Sequence, residues 1–239
     1  MMYPDQEISK IPEKSATATA AALLPLSGAV VLDVGCGMGA LTCFLAECGA
    51  EASGIDPNEA RIATAREQAR DEELEVTFYE GVGEALPFED GEFDIVIFSN
   101  SLHHVPTDQI PTALAEAHRV LCEEGLLYVM EPVPGGSYFD VGRPINDETD
   151  IRTNAYEQVK ALGGNGFIEL KEVFSSTPRR YRDFSDFRQK YLARNSHRAD
   201  LFAGQAGEME KLFDQLATPA TGGFVLDGAI RVNLLQKDI

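Results

Sequence analysis

The segment Val30-Val31-Leu32-Asp33-Val34-Gly35-Cys36-Gly37-Met38-Gly39 constrains this chain more than any other. A β-branched, apolar run of this length reads as a buried parallel strand. Three glycines at alternate positions directly behind it let the backbone turn sharply and bring main-chain groups against a ligand with no Cβ in the way. A helix is expected from Ala40. Strand, glycine turn and helix in that order hold a small molecule at the carboxyl end of the first strand of an open α/β sheet.

The glycines alone fit two cofactors. Gly35, Gly37 and Ala40 satisfy the pattern G-x-G-x-x-G/A, and Asp56 lies about 20 residues on, in the place of a ribose-binding acid. A nicotinamide-dependent oxidoreductase is therefore one reading. Asp33 argues against it, because a carboxylate just before the turn repels a pyrophosphate and suits a ligand that carries positive charge. S-adenosylmethionine, with a sulfonium, an ammonium and no phosphate, fits that sign. A glycine turn with no ligand is the third reading these residues leave open.

Composition narrows the partners. The chain has 239 residues, enough for one domain with a sizeable core, and its apolar share of 44% is ordinary for a folded protein. Its 39 acidic residues stand against 20 basic ones, a net charge of −19. Such a surface repels polyanions, so neither nucleic acid nor an anionic membrane is expected as a partner. The segment Pro178-Arg179-Arg180-Tyr181-Arg182 is a short basic exception, readable as a solvated turn or as an anchor for an acidic group. No apolar run reaches the roughly 20 residues of a bilayer span. Asp5 and Glu7 stand where a signal peptide would be basic, so the expected location is the cytoplasm. Cys36, Cys43, Cys48 and Cys122 form no C-x-x-C pair and read as free thiols; no metal site is expected.

Along the chain, strands are expected at Ala29–Val34, Glu51–Asp56, Glu75–Glu80, Phe93–Ser99 and Leu126–Glu131. Helices are expected at Ser15–Leu24, Ala40–Cys48, Asn58–Arg70 and Ile110–Leu121, the last with His118-Arg119 shielding its C-terminus. After Pro132 the alternation breaks into an irregular stretch opened by Pro134-Gly135-Gly136. Helices at Glu148–Leu162, Arg182–Asn195 and Gly207–Leu216, a strand at Ile168–Ser176 and a last strand at Phe224–Leu235 complete the reading. Strands alternating with helices imply a parallel sheet covered on both faces.

Five stretches together resemble the class I S-adenosylmethionine-dependent methyltransferases, in particular small-molecule enzymes similar to the quinone-biosynthesis C-methyltransferases. They are Leu32–Gly39, Gly54-Ile55-Asp56-Pro57, Gly81–Phe88, Phe93–Val105, and Glu116–Leu121 with Gly125–Pro132. The resemblance implies a Rossmann-like doubly wound α/β sheet, mostly parallel with an antiparallel last strand. It implies helices on both faces and helical insertions after strand five that form a lid. One methyltransferase domain is expected over 1–239, with a helical cap at 1–28, a cofactor core at 29–132, substrate-side insertions and the sixth strand at 133–222, and the last strand at 223–239.

By resemblance, Asp33, Gly35, Cys36, Gly37, Gly39, Asp56, Pro57, Val82, Gly83, Glu84, Ser99 and Asn100 contact S-adenosylmethionine. Asp56 has two oxygens for the two ribose hydroxyls. Val82 departs from the family, which carries an acid or amide there toward adenine; Glu84 is the nearby substitute. Ser101, His103 and His104 follow strand four, next to the methyl group, and the histidines are the candidate catalytic residues. Tyr3, Tyr138, Phe139, Arg143, Tyr156, Arg179, Tyr181 and Tyr191 are candidates to line the acceptor pocket. The acceptor itself is expected to be a small molecule, with oxygen, sulfur, carbon and aliphatic nitrogen all open. Alternatives are the nicotinamide-dependent oxidoreductase, a catalytically silent S-adenosylmethionine-binding module, and a macromolecular methyltransferase. The sequence does not fix the oligomeric state.

Overall fold

The computed structural model describes residues 8, 11–194 and 198–238. Its elements run α1 (Ala16–Leu23), β1 (Val30–Val34), α2 (Ala40–Glu47), β2 (Glu51–Asp56), α3 (Glu59–Asp71), β3 (Thr77–Glu80), β4 (Phe93–Ser99), α4 (Ile110–Val120), β5 (Leu121–Pro132) and α5 (Ser137–Gly142). Then come α6 (Thr149–Ala161), β6 (Phe167–Ser176), β7 (Arg179–Tyr181), α7 (Phe184–Arg194), α8 (Ala199–Leu216), β8 (Thr218–Ala220), β9 (Gly223–Leu226) and β10 (Ala229–Lys237). The chain divides into two compact units, one of Ser15–Glu131, Thr153–Val173 and Arg231–Ile239, the other of Met1–Lys14, Pro132–Arg152 and Phe174–Ile230.

In the larger unit the strands form one sheet in the order β3-β2-β1-β4-β5-β10-β6. β1 pairs in parallel with β2 on one side and β4 on the other, Asp33 lying opposite Gly54 and Ile97. β10 runs against β5, since Gln236 and Lys237 near its end donate to the Glu124 and Leu121 carbonyls at the start of β5. The sheet is thus mostly parallel with one antiparallel strand, as expected. Strand order reverses between β1 and β4, so right-handed crossovers send α2 and α3 to one face and α4 to the other. The apolar clusters agree. Cys43, Ile62, Ala65, Ala69 and Phe78 pack together under α2 and α3. Ile110, Ala113, Leu114, Ala117 and Val120, one stripe of α4, pack with Phe98, Leu127 and Val129.

The helix ends follow local chemistry. Asn58 caps α3 by accepting from the Arg61 N–H at 3.1 Å, with Glu59 in the first turn and Arg70 in the last, both signs matching the helix dipole. Arg119 was expected to shield the end of α4; it does something else. Its guanidinium bonds Glu116 and Asp90 and donates to the Leu86 and Phe88 carbonyls, which ties the loop after β3 to the helix. The Arg119 pair lowers the Glu116 carboxyl below its ordinary range.

The smaller unit is built on aromatic packing. Tyr181, Phe187, Tyr191, Phe202 and Phe213 are buried together with Val141, Ile145, Met209 and Leu226. A three-stranded antiparallel sheet, β7-β9-β8, borders them.

Four expectations are corrected here. The helix expected at Gly207–Leu216 begins at Ala199; Gly204 and Gly207 sit inside it, and burial of Phe202, Met209 and Phe213 on one face outweighs the two glycines. The single last strand at Phe224–Leu235 is two, β9 and β10. The break falls where the Asp227 N–H and carbonyl are taken by Ser137 Oγ and the Tyr138 N–H, and the Gly228 carbonyl by Thr177. The strand expected from Leu126 starts at Leu121, with a register shift opposite Phe93 and Ile95. The stretch after Gly136, read as irregular, contains α5.

Truncating Arg119 to Ala leaves two loop carbonyls and two carboxylates without their charged donor. Urea unfolding is expected to show a loss of about 1.5–3 kcal/mol, the range for hydrogen bonds to a charged group.

Candidate cofactor site

Between the carboxyl ends of β1 and β4, at the switch point of the sheet, the larger unit has a cavity of about 480 Å3. Val34 and Gly35 reach it from β1, and Asp56, Pro57, Asn58 and Arg61 from the β2–α3 junction. Gly81, Val82, Gly83 and Glu84 come from the loop after β3, and Phe98, Asn100, Ser101, His104, Val105 and Pro106 from the exit of β4. Two chain reversals meet there. Gly35 has a left-handed φ of 76°, and a Cβ on it would stand 2.4 Å from the Ser101 Cβ. The Ser101 hydroxyl donates to the Val34 carbonyl at 2.6 Å, so no side chain larger than hydrogen fits at position 35.

The glycine turn spends its donors on the chain itself. The N–H groups of Gly35 and Cys36 both donate to the Ile55 carbonyl, at 2.7 and 3.1 Å, and that of Gly39 to the Cys36 carbonyl. The Gly37 N–H donates to Asp56 Oδ2 at 3.0 Å, while Asp56 Oδ1 accepts from the Asn58 N–H at 2.9 Å. A pyrophosphate-binding turn needs such N–H groups aimed at the ligand. Here the anion they hold is the buried Asp56 carboxylate, 4% exposed. Each of its oxygens accepts one backbone bond, and an ionised carboxylate oxygen has room for a second. Asp56 therefore arrives at the cavity already oriented.

Of the residues singled out for the cofactor, Gly35, Asp56, Pro57, Val82, Gly83, Glu84 and Asn100 line this cavity, and Asp33, Cys36, Gly37, Gly39 and Ser99 do not. Asp33 is buried inside β1 and accepts from the Thr42 hydroxyl at 2.8 Å. Burial, aided by the Asp56 charge and opposed by the Thr42 bond, raises its carboxyl from 3.8 to about 7. Cys36 packs against Gly54, where a Cβ would stand 2.8 Å from its sulfur. Burial pushes its thiol well above the ordinary thiol range, with Asp33 and Asp56 adding to the effect. Gly39, at φ 83°, packs against Phe78 and Ala65. Asn100 takes a left-handed φ of 53° and donates its N–H to the Met130 carbonyl at 2.8 Å.

The two histidines part. His104 is exposed and lines the cavity. His103 is buried, and its Nδ1 pairs with the buried Glu131 carboxylate. Glu131 also accepts from the Leu102 N–H at 2.9 Å and the His103 N–H at 3.4 Å, so one carboxylate fixes the short turn that ends in His104. The two rings lie with centroids 4.0 Å apart. Sequence reasoning missed Glu131, although an acid closing the apolar run Leu126–Met130 was a visible signal. It also missed Asn58, Arg61, Val105 and Pro106, whose side chains carry no motif of their own.

The acceptor-pocket candidates lie elsewhere. Tyr3 falls outside the described residues. Tyr138, Tyr181 and Tyr191 belong to the aromatic core of the smaller unit, Arg179 lies over the Tyr138 ring at 3.5 Å, and Phe139 lies under Arg152. Arg143 is near Asp140 and Asp147, and Tyr156 lies between Arg231 and Glu172. None of those described lines the 480 Å3 cavity.

Comparison with known proteins agrees with this architecture. A family described as a methyltransferase domain matches residues 31–125. The ubiquinone biosynthesis O-methyltransferase of Thiobacillus denitrificans is 31% identical over 217 residues, which cover 89% of this chain and 78% of that protein. The chain belongs to the class I S-adenosylmethionine-dependent methyltransferases. The matches to two other relatives, an uncharacterized methyltransferase of Synechocystis and a ubiquinone biosynthesis O-methyltransferase of Methylococcus capsulatus, span only 47% and 35% of their lengths. The YcgJ protein of Bacillus subtilis shares the fold at a TM-score of 0.66, 18% identity and coverage of 93% and 98% of the two chains. Magnesium protoporphyrin IX methyltransferase of Synechocystis, solved with S-adenosylmethionine bound, shares it at a TM-score of 0.50, 18% identity and coverage of 93% and 76%. The Rossmann-like methyltransferase fold is thereby established for this chain.

Because burial favours protonated Asp33, its contribution to stability is present in full below about pH 4 and is lost as pH rises through about 7. Asp33→Asn keeps the side chain neutral. Thermal unfolding without ligand is expected to show the variant more stable than the parent at pH 8, with the gap narrowing at pH 5.

Proposed function

We propose that this chain transfers the methyl group of S-adenosylmethionine to a small-molecule acceptor by in-line displacement. The observation that carries the proposal is the Asp56 carboxylate, held by the Gly37 and Asn58 N–H groups at the edge of the cavity. Its remaining lone pairs suit the two vicinal hydroxyls of a ribose. Gly83, where a Cβ would touch Val34 at 3.0 Å, lets the loop after β3 pass close to the adenine. Val82 offers that ring an apolar contact in place of a polar one. The Gly35 backbone and Asn100 border the methionine portion.

When bound, S-adenosylmethionine supplies an activated methyl group on a sulfonium that leaves as a neutral thioether. The protein then has three tasks: to orient the two reactants, to exclude water, and to take a proton where the acceptor must lose one. His104 is the titratable side chain at the exit of β4 that faces the cavity, and it is assigned the last task. His103 is assigned to holding the turn through Glu131. The O-methyltransferase names among the relatives favour an oxygen acceptor. The charge of −19 opposes a nucleic-acid substrate.

Calorimetric titration with S-adenosylhomocysteine tests the cofactor assignment, and absence of binding would overturn it. Asp56→Ala removes a charged acceptor of two hydroxyl bonds and is expected to weaken binding by roughly tenfold or more. An unchanged affinity would move the ribose contact elsewhere. Turnover with candidate acceptors, read as the mass of the methylated product, separates the enzyme from a silent binding module. His104→Ala is expected to lower kcat with little change in cofactor affinity.

A further inference from the structure

The segment Pro178-Arg179-Arg180-Tyr181-Arg182 plays no part in the reading above, yet within the smaller unit it builds a second cavity of about 240 Å3. Three cations reach that cavity from two elements. Arg180 lies on β7 and Arg182 just past it, two residues apart and so on one side of the strand. Lys190 stands one helical turn beyond Asp186 on α7, on the same face. The turn Thr221-Gly222-Gly223 forms another wall. Gly223 lies so close to β7 that a Cβ on it would stand 2.1 Å from the Tyr181 carbonyl oxygen, so the wall is fixed to the strand.

Among the described residues Asp186 is the only carboxylate lining this cavity, and its side chain is 5% exposed. It accepts from the Arg182 N–H at 3.1 Å, from the Arg182 guanidinium at 3.1 Å and from the Lys190 ammonium at 2.8 Å. Lys190 also donates to the Arg180 carbonyl at 3.3 Å, which draws helix and strand together. Asp186 is thus saturated by two of the cations, and the Arg180 guanidinium has no ion-pair partner among the described residues. Three cations against one carboxylate leave a surplus of two positive charges in a chain with 39 acids and 20 bases. An ion-pair network serving stability alone would be completed by a further acid, which this sequence has in excess. Here the place opposite Arg180 and Arg182 is open cavity.

The geometry points to an oxyanion site in which Arg180, Arg182 and Lys190 bind a small molecule that bears a phosphate group. Two guanidinium forks match the tetrahedral oxygens in bidentate fashion, and the ammonium supplies a point charge. Asp186 is the fixed counter-charge that Arg182 and Lys190 share. The site goes beyond the methyl-transfer reading and does not depend on it.

Calorimetric titration of the full chain with inorganic phosphate at low ionic strength tests the site, with sodium chloride at matched ionic strength as the blank. Saturable binding is expected, weakened roughly tenfold or more in the double variant Arg180→Gln, Arg182→Gln, each lost bidentate contact being worth on the order of a tenfold change. Both side chains are exposed, and an unchanged melting temperature of the variant shows that it is folded. Lys190→Gln is expected to weaken phosphate binding as well. Heat indistinguishable from the chloride blank, or equal affinity of parent and double variant, overturns the proposal. So does retention on phosphatidylglycerol vesicles with no response to free phosphate, which would assign the cluster to a membrane surface.

Discussion

The contact on which the candidate site depends is the bond from the Gly37 N–H to the Asp56 carboxylate. It joins the turn after β1 to the end of β2, two elements that the parallel pairing of their strands already brings side by side. A carboxylate buried to 4% exposure must be compensated, and the Gly37 and Asn58 N–H groups do this. Gly37 in turn has to adopt a left-handed φ of 57° to aim its N–H there. The glycine requirement, the acid at the end of β2 and the shape of the cavity are therefore one constraint. Remove the acid and the turn has an unmet donor; replace the glycine and a side chain must take a left-handed φ to keep the bond.

That reciprocity explains why the first half of the chain was legible. Each motif there is local: an apolar run that ends in glycines, and an acid before a proline. The strands Glu51–Asp56 and Phe93–Ser99 were read to the residue. Where the sequence misled, the deciding contact was long-range. The helix expected from Gly207 begins eight residues earlier, at Ala199; burial of Phe202 and Phe213 among distant aromatic rings outweighs Gly204 and Gly207. The run from Phe224 to Leu235 looks continuous until Ser137 and Thr177 claim the backbone groups of Asp227 and Gly228.

The site residues divide along the same line. Glycines and acids with a backbone task were identified by type, but which of them face the cavity was not. Asp33 was read as a charge beside the ligand. It lies outside the cavity lining and accepts from the Thr42 hydroxyl. The histidine pair shows the limit most clearly. Of these two sequence neighbours, His103 is buried and His104 exposed, and the sequence does not say which is which. Glu131, twenty-eight residues further on, decides it by holding His103.

This division bears on how the reaction is assisted. Glu131 is buried at the end of β5, and its two backbone bonds and its His103 pair are all spent on the turn. A carboxylate so occupied is poorly placed to accept a proton from an acceptor molecule; its effect reaches the cavity only through the position of His104. A sulfonium donor already has a good leaving group, so a single base of ordinary strength suffices, and only for acceptors that carry a proton to lose. Strong acid–base machinery would add nothing. The chain instead uses two buried carboxylates, Asp56 and Glu131, to fix backbone turns beside the cavity. Transfer from an activated donor depends on how the reactants are held, and turns fixed in this way suit that demand.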